Sequence, residues 1–460
     1  MTIFGSIESG RSALKAQLKG MAVSGQNVAN ANTPGYSRQR VEMAPTIPAL
    51  VSGLSLVPGY GVDVTAITRV RSEFYHTQMM GSGSYLSYWE MRLEAFQQAE
   101  IVFMEPGANG LGGYLNDFFD FWQELSSSPE NAAVRTSLRE QAVSFTKAVQ
   151  DVYLRLTDLQ IELKNELVQR VQEVNQLAAE VAVINDQIIF AGALGEKPNA
   201  LLDQLDQALE QLSALVDIRV FRKNSGAVEI FGGGRLLVQD QQHYALALQG
   251  EEGGLSVVSS REIPLELRSG RLKGLEEAVN LIVPGLQNGL NELVSSLVSN
   301  LNDLHSRGYG LDGDKGRNFF EEIIDNNIPA ALQFQLDGAV MNEINAIAAA
   351  SRTDEWGNGE NAVAIARLRN ENLVGPGNAS LMDDYRGMIS SLGVEGRESR
   401  RMAEAFTEAL AQLRSRHESV TGVNLDEETL NMVQYGHAWQ AAAHFISYVD
   451  RMLDTLFREL

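Results

Sequence analysis

Cysteine is absent from this chain of 460 residues. Its absence excludes a disulfide, a thiolate nucleophile and a cysteine-ligated metal site. The N-terminal segment MTIFGSIESG has neither a basic region nor an apolar core, so we expect no Sec signal peptide. No apolar run approaches the length of about 18 residues that a membrane-spanning helix requires, and we expect no membrane insertion.

Basic residues are also scarce. The chain has 37 Lys and Arg against 59 Asp and Glu, which gives a formal net charge of -22. This balance argues against nucleic acid as a partner, because phosphate binding needs clustered Lys and Arg. A hydrophobic content of 44% is ordinary for a globular protein, so we expect most of the chain to fold, in about three domains.

Signatures of catalysis and of cofactor binding are missing as well. The six histidines show no zinc-binding spacing, and Gly232-Gly233-Gly234-Arg235 lacks the Lys-Ser/Thr pair of a phosphate-binding loop. The run from Asp312 to Asn318 has an arginine where a calcium loop needs glycine. We therefore predict no enzymatic activity, no metal and no cofactor.

Both ends of the chain carry apolar residues at helical spacing. The N-terminal seam consists of Phe4, Ile7, Leu14, Leu18, Met21 and Val28. The C-terminal seam consists of Tyr435, Trp439, Ala442, Phe445, Ile446, Val449, Met452, Leu453 and Leu456. Spacings of three and four predict two amphipathic helices with coiled-coil-like faces, the first ended by Pro34-Gly35 and the second capped by Asn424.

The charges of the two ends are opposite. Residues 1–43 carry five basic and two acidic side chains, whereas residues 421–460 carry six acidic and two basic ones. We therefore predict that the two terminal helices pair with each other. The alternative is two ordinary surface helices packed on one core.

The middle of the chain is mostly helical in pattern. Its apolar spacing predicts helices over 84–103, 111–126, 130–191, 199–215, 286–304, 380–392 and 396–418. Ser128 and Pro129 are the expected start of the long helix, which contains neither Pro nor Gly up to residue 191. Residues 44–67 are rich in Pro and Gly and predict an extended linker with short strand-like pieces, such as Val62 to Val64, and a turn at Pro58-Gly59.

Between Ile218 and Leu267 the apolar period changes to two, with turn residues between the short runs. This change predicts a small antiparallel β module inserted in a helical chain. The expected fold is mainly α and elongated, with a long-helix bundle. We predict a terminal helical domain (1–43 with 420–460), an elongated helical domain (44–216 with 270–419) and the β module (217–269).

One segment carries a family resemblance. Asn27 to Gln39 reads NVANANTPGYSRQ. It resembles the N-terminal signature of the bacterial flagellar axial proteins, the family of rod, hook and hook-associated subunits. The variant of the signature found here is most similar to that of the hook-associated branch, and the runs at 199–204, 301–313 and 347–351 resemble the same branch. The residues of this motif are Asn27, Asn30, Asn32, Thr33, Pro34, Gly35, Tyr36, Ser37, Arg38 and Gln39.

The resemblance implies a structural subunit that joins hook to filament and is needed for filament assembly. It implies export through the flagellar type III apparatus, an extracellular location, and terminal helices packed in the tubular core. The implied partners are further copies in a ring or helical assembly, hook protein, a second junction protein, and an export chaperone that covers the C-terminal seam. The alternatives are another axial subunit (hook, rod, second junction protein or flagellin) or a cytoplasmic coiled-coil scaffold.

One departure from the family pattern concerns the chain between about 314 and 345. This stretch is too short for the large second outer domain of longer relatives. Any function of that domain is therefore not expected here.

Overall fold

The computed structural model describes residues 3–46, 49–51, 55–57, 61–104, 110–195, 197–251, 254–325, 327–374 and 379–459, and the side chains of Phe4 and Leu456 fall outside this description. The helices are α1 (Ile3–Ala29), α2 (Glu73–Phe103), α3 (Leu111–Ser127), α4 (Ala132–Ala193), α5 (Asn199–Leu215), α6 (Arg271–Glu277), α7 (Val283–Arg307), α8 (Ala330–Gln333), α9 (Gly338–Asn342), α10 (Glu360–Arg367), α11 (Leu381–Thr421) and α12 (Leu425–Glu459). None of these described helices is long and apolar enough to cross a membrane.

The strands form small antiparallel sheets. They are β1 (Gln39–Pro45), β2 (Ala49–Val51), β3 (Ser55–Val57), β4 (Val62–Arg69), β5 (Ile218–Arg222), β6 (Val228–Gly232), β7 (Arg235–Gln239), β8 (Gln242–His243), β9 (Leu246–Glu251), β10 (Gly254–Ser259), β11 (Asn372–Val374) and β12 (Ala379–Ser380). β5 to β8 make one sheet in sequence order, and the other pairs are β1 with β4, β2 with β3, β9 with β10 and β11 with β12. The predicted mainly α fold with an inserted β module is confirmed.

The long helix α4 contacts both the helical bundle and the β module. It packs against α2, α3, α5, α6 and α7, and also against β7, β8 and β9 of the β module. Its length of 62 residues matches the prediction. Its start does not: the cap is Asn131, whose side chain accepts a hydrogen bond from the backbone N–H of Ala133, and not Ser128. Asn131 serves because its side chain satisfies one of the N–H groups that the first helical turn leaves free.

Three further predictions are wrong in their boundaries. Helices 380–392 and 396–418 are a single helix, α11, because Gly393 and Gly396 lie inside its contact with α2 and the packing outweighs their low helix propensity. Much of the predicted linker is β-structure, since β4 pairs with β1 along its whole length. Ile263 to Leu267 forms no strand; it contributes the bridge between Val258 and Pro264 and a hydrogen bond from the N–H of Glu266 to the carbonyl of Gly233 (3.0 Å). The predicted turn at Pro58-Gly59 lies outside the described residues.

An aromatic cluster fills the core at the N-terminal end of α4. Phe118 packs on Phe145 with ring centroids 5.7 Å apart, and Trp122 packs on Phe319 with centroids 5.0 Å apart. His305 lies edge-on to both Trp122 and Phe319 and is completely buried. Its Nδ1–H donates to the carbonyl of Arg317 (2.8 Å), and its Nε2 accepts from the backbone N–H of Ala348 (2.9 Å). The imidazole is therefore held neutral and fully bonded.

Burial makes this histidine a source of acid sensitivity. It lowers the pKa of His305 from 6.5 to about 4, and protonation of Nε2 would break the bond from Ala348. The stability contributed by the neutral ring is therefore complete above pH 6.5 and is lost as the pH falls towards 4. We expect the unfolding temperature to fall over this window more steeply in the wild type than in His305→Gln. Parallel curves in a calorimetric pH series would contradict this assignment.

Candidate functional site

The two terminal helices pack against each other in antiparallel orientation. Glycines on α1 lie at the points where α12 comes near. A Cβ placed on Gly10 would lie 2.5 Å from Cγ1 of Ile446, and one placed on Gly20 would lie 2.7 Å from the ring of Tyr435. The close approach of the helices therefore depends on the absence of side chains at these two positions. We call α1, α12 and the motif between Asn27 and Gln39 the terminal unit.

This contact uses only part of the predicted seams. Of the C-terminal seam, Val449 is buried, Tyr435, Ala442, Ile446 and Leu453 are half-buried, and Trp439, Phe445 and Met452 are exposed. Of the N-terminal seam, Ile7, Leu14 and Met21 are half-buried, whereas Leu18 and Val28 are 59% and 37% exposed. The two predicted seams therefore do not face each other throughout, and Gly10 and Gly20, which the apolar pattern does not include, form the near contacts.

Asn27 closes the turn that follows α1. Its side chain is completely buried, and its amide makes three hydrogen bonds. Its Nδ2 donates to the carbonyl of Gln39 (2.9 Å), while its Oδ1 accepts from the backbone N–H of Gln39 (2.9 Å) and from the hydroxyl of Tyr36 (2.8 Å). One amide thus ties the last turn of α1 to the first residue of β1. The bonds explain the need for an amide at Asn27 and a hydroxyl at Tyr36, whereas Gln39 takes part through its backbone.

The rest of the turn is built from short-range bonds. Asn30 Nδ2 donates to the carbonyl of Gln26 (3.0 Å), and the Thr33 hydroxyl donates to Asn30 Oδ1 (3.3 Å). The carbonyl of Pro34 accepts from Gln207 on α5 (2.9 Å), and Gly35 has a φ of 77°. Asn32, in contrast, is exposed.

Gly35 offers a direct test of this turn. The backbone of Gly35 is left-handed, a conformation that costs a non-glycine residue about 1–2 kcal/mol. A Cβ at this position would also lie 1.7 Å from Nε2 of Gln207. We expect Gly35→Ala to weaken the docking of the turn on α5, measured as faster hydrogen exchange over residues 27–39. Gly25→Ala is the matched control, because a Cβ there meets nothing within 4 Å, and a Gly→Ala change inside a helix is expected to slow exchange slightly and not to speed it. Equal hydrogen exchange in both variants would mean that the turn does not need glycine at position 35.

Arg38 connects the turn to the start of α12. Its Nε donates to Glu428 Oε1 (2.7 Å), and its Nη2 donates to Glu427 Oε1 (2.8 Å). The hydrogen bond from Arg38 to Glu427, and then the charge of Arg38, lower the pKa of Glu427. Both carboxylates lie in the first turn of α12, where the helix dipole also favours negative charge. The start of α12 is closed by Asn424, whose Oδ1 accepts from the N–H of Asp426 (3.0 Å), which confirms the predicted cap.

Helix α5 contacts the other side of the turn. Asp203 Oδ2 accepts from the backbone N–H of Ser37 (3.4 Å), and its Oδ1 accepts from Arg69 on β4 (2.6 Å). Asn199 donates to the side chain of Gln39 (3.1 Å) and to the carbonyl of Ile67 (3.0 Å). These two polar residues are buried, and sequence reasoning assigned them no role. The available signal was that both residues lie in the run 199–204, which resembles the hook-associated branch.

Burial and charge also act on the tyrosine of the motif. Burial, and then the neighbouring carboxylates of Asp203 and Glu428, raise the pKa of Tyr36 to about 12. Its hydroxyl therefore stays protonated at neutral pH and donates to Asn27. In the described part of the chain, no three His, Asp or Glu side chains are grouped so that they could hold a metal ion. The described hydrogen bonds and ion pairs hold α1, the turn, α5 and α12 together.

Two family models match this chain. The model of the flagellar hook-associated protein FlgK helical domain matches residues 96–320, and the model of the flagella basal body rod protein matches residues 7–36. The second match covers most of α1 and the turn as far as Tyr36. It therefore falls on the terminal unit.

Full-length relatives give the same identification. Flagellar hook-associated protein 1 of Bacillus subtilis is 28% identical over 98% of this chain and 97% of its own length. The protein of the same name from Salmonella typhimurium is 24% identical over 97% of this chain and 98% of its own length. The flagellar hook junction protein FlgK from Burkholderia pseudomallei shares the fold, with a TM-score of 0.65 at 15% identity, over 75% of this chain and 100% of that one. The chain therefore belongs to the flagellar hook-associated protein 1 family, a family of flagellar structural proteins.

Proposed function

We infer that the chain is a structural subunit of the bacterial flagellum that joins hook to filament and is needed for filament assembly. Proteins named flagellar hook-associated protein 1 match it over nearly its whole length. The observation that carries the inference is the terminal unit, in which Arg38 and Asn27 fasten α1 and α12 to the turn and α5 holds the turn. In this role the chain is exported by the flagellar type III apparatus and acts at the hook–filament junction, outside the cell.

Apolar surface on α12 supports assembly with further copies. Phe445, Tyr448 and Met452 stay exposed although α12 is packed on α1, and Leu430 lies on the same side of the helix. Exposed apolar side chains at regular helical spacing mark interaction surfaces. We propose that the terminal units of neighbouring copies cover this surface in a ring or helical assembly. Burial between copies then offsets the entropy lost when the ends of an exported chain become ordered.

The same helix supports the proposed chaperone contact. The exposed Trp439, Phe445 and Met452 are accessible while α12 is docked, but Ile446 and Leu453 are partly covered and Val449 is buried. A chaperone that covers the whole C-terminal seam would therefore compete with α1 for α12. We propose this competition as the means by which the ends are kept apart before export.

The remaining partners and the domain division follow from the same proposal. Hook protein would contact one side of the helical bundle, and the second junction protein would contact the other. We propose the three units 1–43 with 420–460, 44–216 with 270–419, and 217–269. The first of them contains the terminal unit and the start of β1, and the last contains β5 to β10.

Immunogold labelling of isolated flagella tests the junction location against the flagellin, hook, rod and cytoplasmic-scaffold alternatives. Antibody against this chain is expected to label one narrow band where hook meets filament. Label along the filament would indicate flagellin, and label along the hook or rod would indicate another axial subunit. Label confined to the cell interior would support the cytoplasmic scaffold and reject the inference.

A further inference from the structure

The β module carries a concave site on the open face of its sheet. Side chains alternate along β5 and β6, so that Val228 and Ile230 are buried on one face while Phe221 and Phe231 lie on the other. A cavity of about 310 Å³ opens on this second face, between β5, β6, the turn at Gly234 and the segment that follows β10. We call it the β-module cavity. None of its residues belongs to the terminal unit.

Two phenylalanine rings form an apolar corner of the cavity. The rings of Phe221 and Phe231 have their centroids 5.7 Å apart and their planes at 88°. Phe221 is 56% exposed, so most of its side chain is uncovered by the residues that the structure describes. The face of an aromatic ring is electron-rich and attracts C–H groups, which carry a small positive partial charge. The exposed ring therefore suits a flat ligand surface made of C–H groups.

Two guanidinium groups and two carboxylates surround this corner. Arg219, Arg268 and Glu266 are exposed, and their side chains form no hydrogen bond or ion pair with any other residue that the structure describes. Asp217 Oδ1 accepts from the backbone N–H of Arg268 (3.2 Å), and burial raises the pKa of the Asp217 carboxyl. Guanidinium groups only donate hydrogen bonds, and carboxylates only accept them. The cavity therefore offers charged donors and charged acceptors side by side, most of them unused.

The balance of charge in the cavity indicates a neutral ligand. An anion would meet the carboxylates of Asp217 and Glu266, and a cation would meet Arg219 and Arg268. A hydroxyl group both donates and accepts, so it can bond to a carboxylate and to a guanidinium at the same time. Hydrogen bonds with one charged partner are also stronger than those between neutral groups. A ligand rich in hydroxyl groups can therefore use all four side chains.

The size of the cavity limits the ligand further. A volume of 310 Å³ corresponds to a cube with sides of about 7 Å, whereas five residues of extended peptide span about 16 Å. The volume lies at the small end of the range for small-molecule sites, which begins at about 300 Å³. The cavity therefore suits a compact ring with a C–H face and hydroxyl groups at its edge. Sugar rings have this combination of groups.

We propose that the β-module cavity binds a neutral saccharide. One sugar ring lies with its C–H face on Phe221, and its hydroxyl groups bond to Arg219, Glu266 and Arg268. Binding gives the β module a role of its own, beyond the joining of hook to filament. The proposal does not depend on the proposed function, because every residue that it uses lies within the β module of one copy.

Saturation-transfer NMR on the purified full-length chain tests the proposal. The probes are the methyl glycosides of glucose, galactose, mannose and N-acetylglucosamine, the disaccharides cellobiose, lactose and chitobiose, and a blocked alanine tripeptide. We expect transfer to at least one sugar, strongest at the C–H protons of one ring face. Transfer to none of the sugars would overturn the proposal, and transfer to the tripeptide alone would identify a peptide site and also overturn it.

A pair of phenylalanine variants shows whether a bound sugar lies in the cavity. Phe221→Ala is expected to weaken binding of that sugar at least tenfold. Phe190→Ala is the matched control, because Phe190 is 68% exposed on α4 and is not part of the cavity. Its affinity is expected to equal that of the wild type. Equal affinities of the two variants would place the sugar elsewhere and overturn the proposal.

A pair of arginine variants tests the polar half of the site. Arg268→Ala removes a donor at the cavity, whereas Arg261→Ala removes an equally exposed arginine seven residues away that does not face it. Neither side chain forms an ion pair with a described residue, so both variants are expected to fold. We expect Arg268→Ala to weaken binding at least threefold and Arg261→Ala to leave it unchanged. Equal affinities of these two variants would reject the assigned hydrogen bonds and with them the proposed pose.

Discussion

Removal of residues 421–460 is expected to abolish incorporation of the chain into flagella. The truncation removes α12 and with it both acidic partners of Arg38. It also uncovers the side of α1 that contains Gly10 and Gly20, which α12 approaches too closely for any side chain. The measurement is a blot for this chain in isolated flagella, together with a blot for flagellin in the culture medium. Normal filaments on cells that make only the truncated chain would contradict the role given to the terminal unit.

A truncation can also block export, and a point variant separates the two effects. Val449→Asp places a carboxylate at a buried position of the α1–α12 contact, whereas Ser447→Asp places it on an exposed position two residues away. Burying an unpaired charge is far more costly than exposing one. We expect the Val449 variant to be found in the medium and not in flagella, and the Ser447 variant to be incorporated. Incorporation of both would mean that α12 does not dock on α1 in the assembled state.

Replacing Asn27 is expected to loosen the whole motif. Asn27→Ala leaves the N–H and the carbonyl of Gln39 and the hydroxyl of Tyr36 without their partner. Each buried polar group left unsatisfied costs about 1–3 kcal/mol, so we expect the opening free energy of the turn to fall by roughly 3 kcal/mol. Hydrogen exchange of residues 27–39 in the purified monomer measures this quantity.

Asn32→Ala is the matched control for that experiment. It makes the same chemical change five residues away, at an exposed side chain. We therefore expect the opening free energy of the turn to change by less than about 0.5 kcal/mol. Asn27→Asp should resemble the alanine variant, because a carboxylate cannot donate to the carbonyl of Gln39. If hydrogen exchange of residues 27–39 were the same in Asn27→Ala and Asn32→Ala, the hydrogen bonds of the Asn27 amide would not be what holds the turn closed.

The sequence predicted the elements well where one periodic pattern was undisturbed. α4 was predictable because apolar residues recur without Pro or Gly over most of its length. α11 was not, because Gly393 and Gly396 indicate a break that only the contact with α2 removes. Of β4, only a strand-like piece at Val62 to Val64 was predicted, because its partner residues in β1 lie 17 to 30 positions earlier and strand pairing at that distance has no local signature.

The candidate site was predictable in outline and not in its contacts. The motif was recognised from its sequence. The hydrogen bonds of Asn27, however, depend on a turn that brings residue 39 back beside it. Apolar spacing placed a seam on each terminal helix, yet the near contacts are at glycines, which a search for apolar residues passes over. Asp203 was invisible as a site because nothing in a single sequence tells that Ser37 and Arg69 converge on it.

Whether this chain joins hook to filament is tested by the partition of flagellin in a strain that lacks its gene. Flagellin is blotted in cells and in medium, and the cell surface is imaged by electron microscopy. We expect flagellin to be lost to the medium and the hooks on the cells to be bare, with both defects corrected by restoring the gene. Filaments still attached to the hooks of the deletion strain would contradict this expectation.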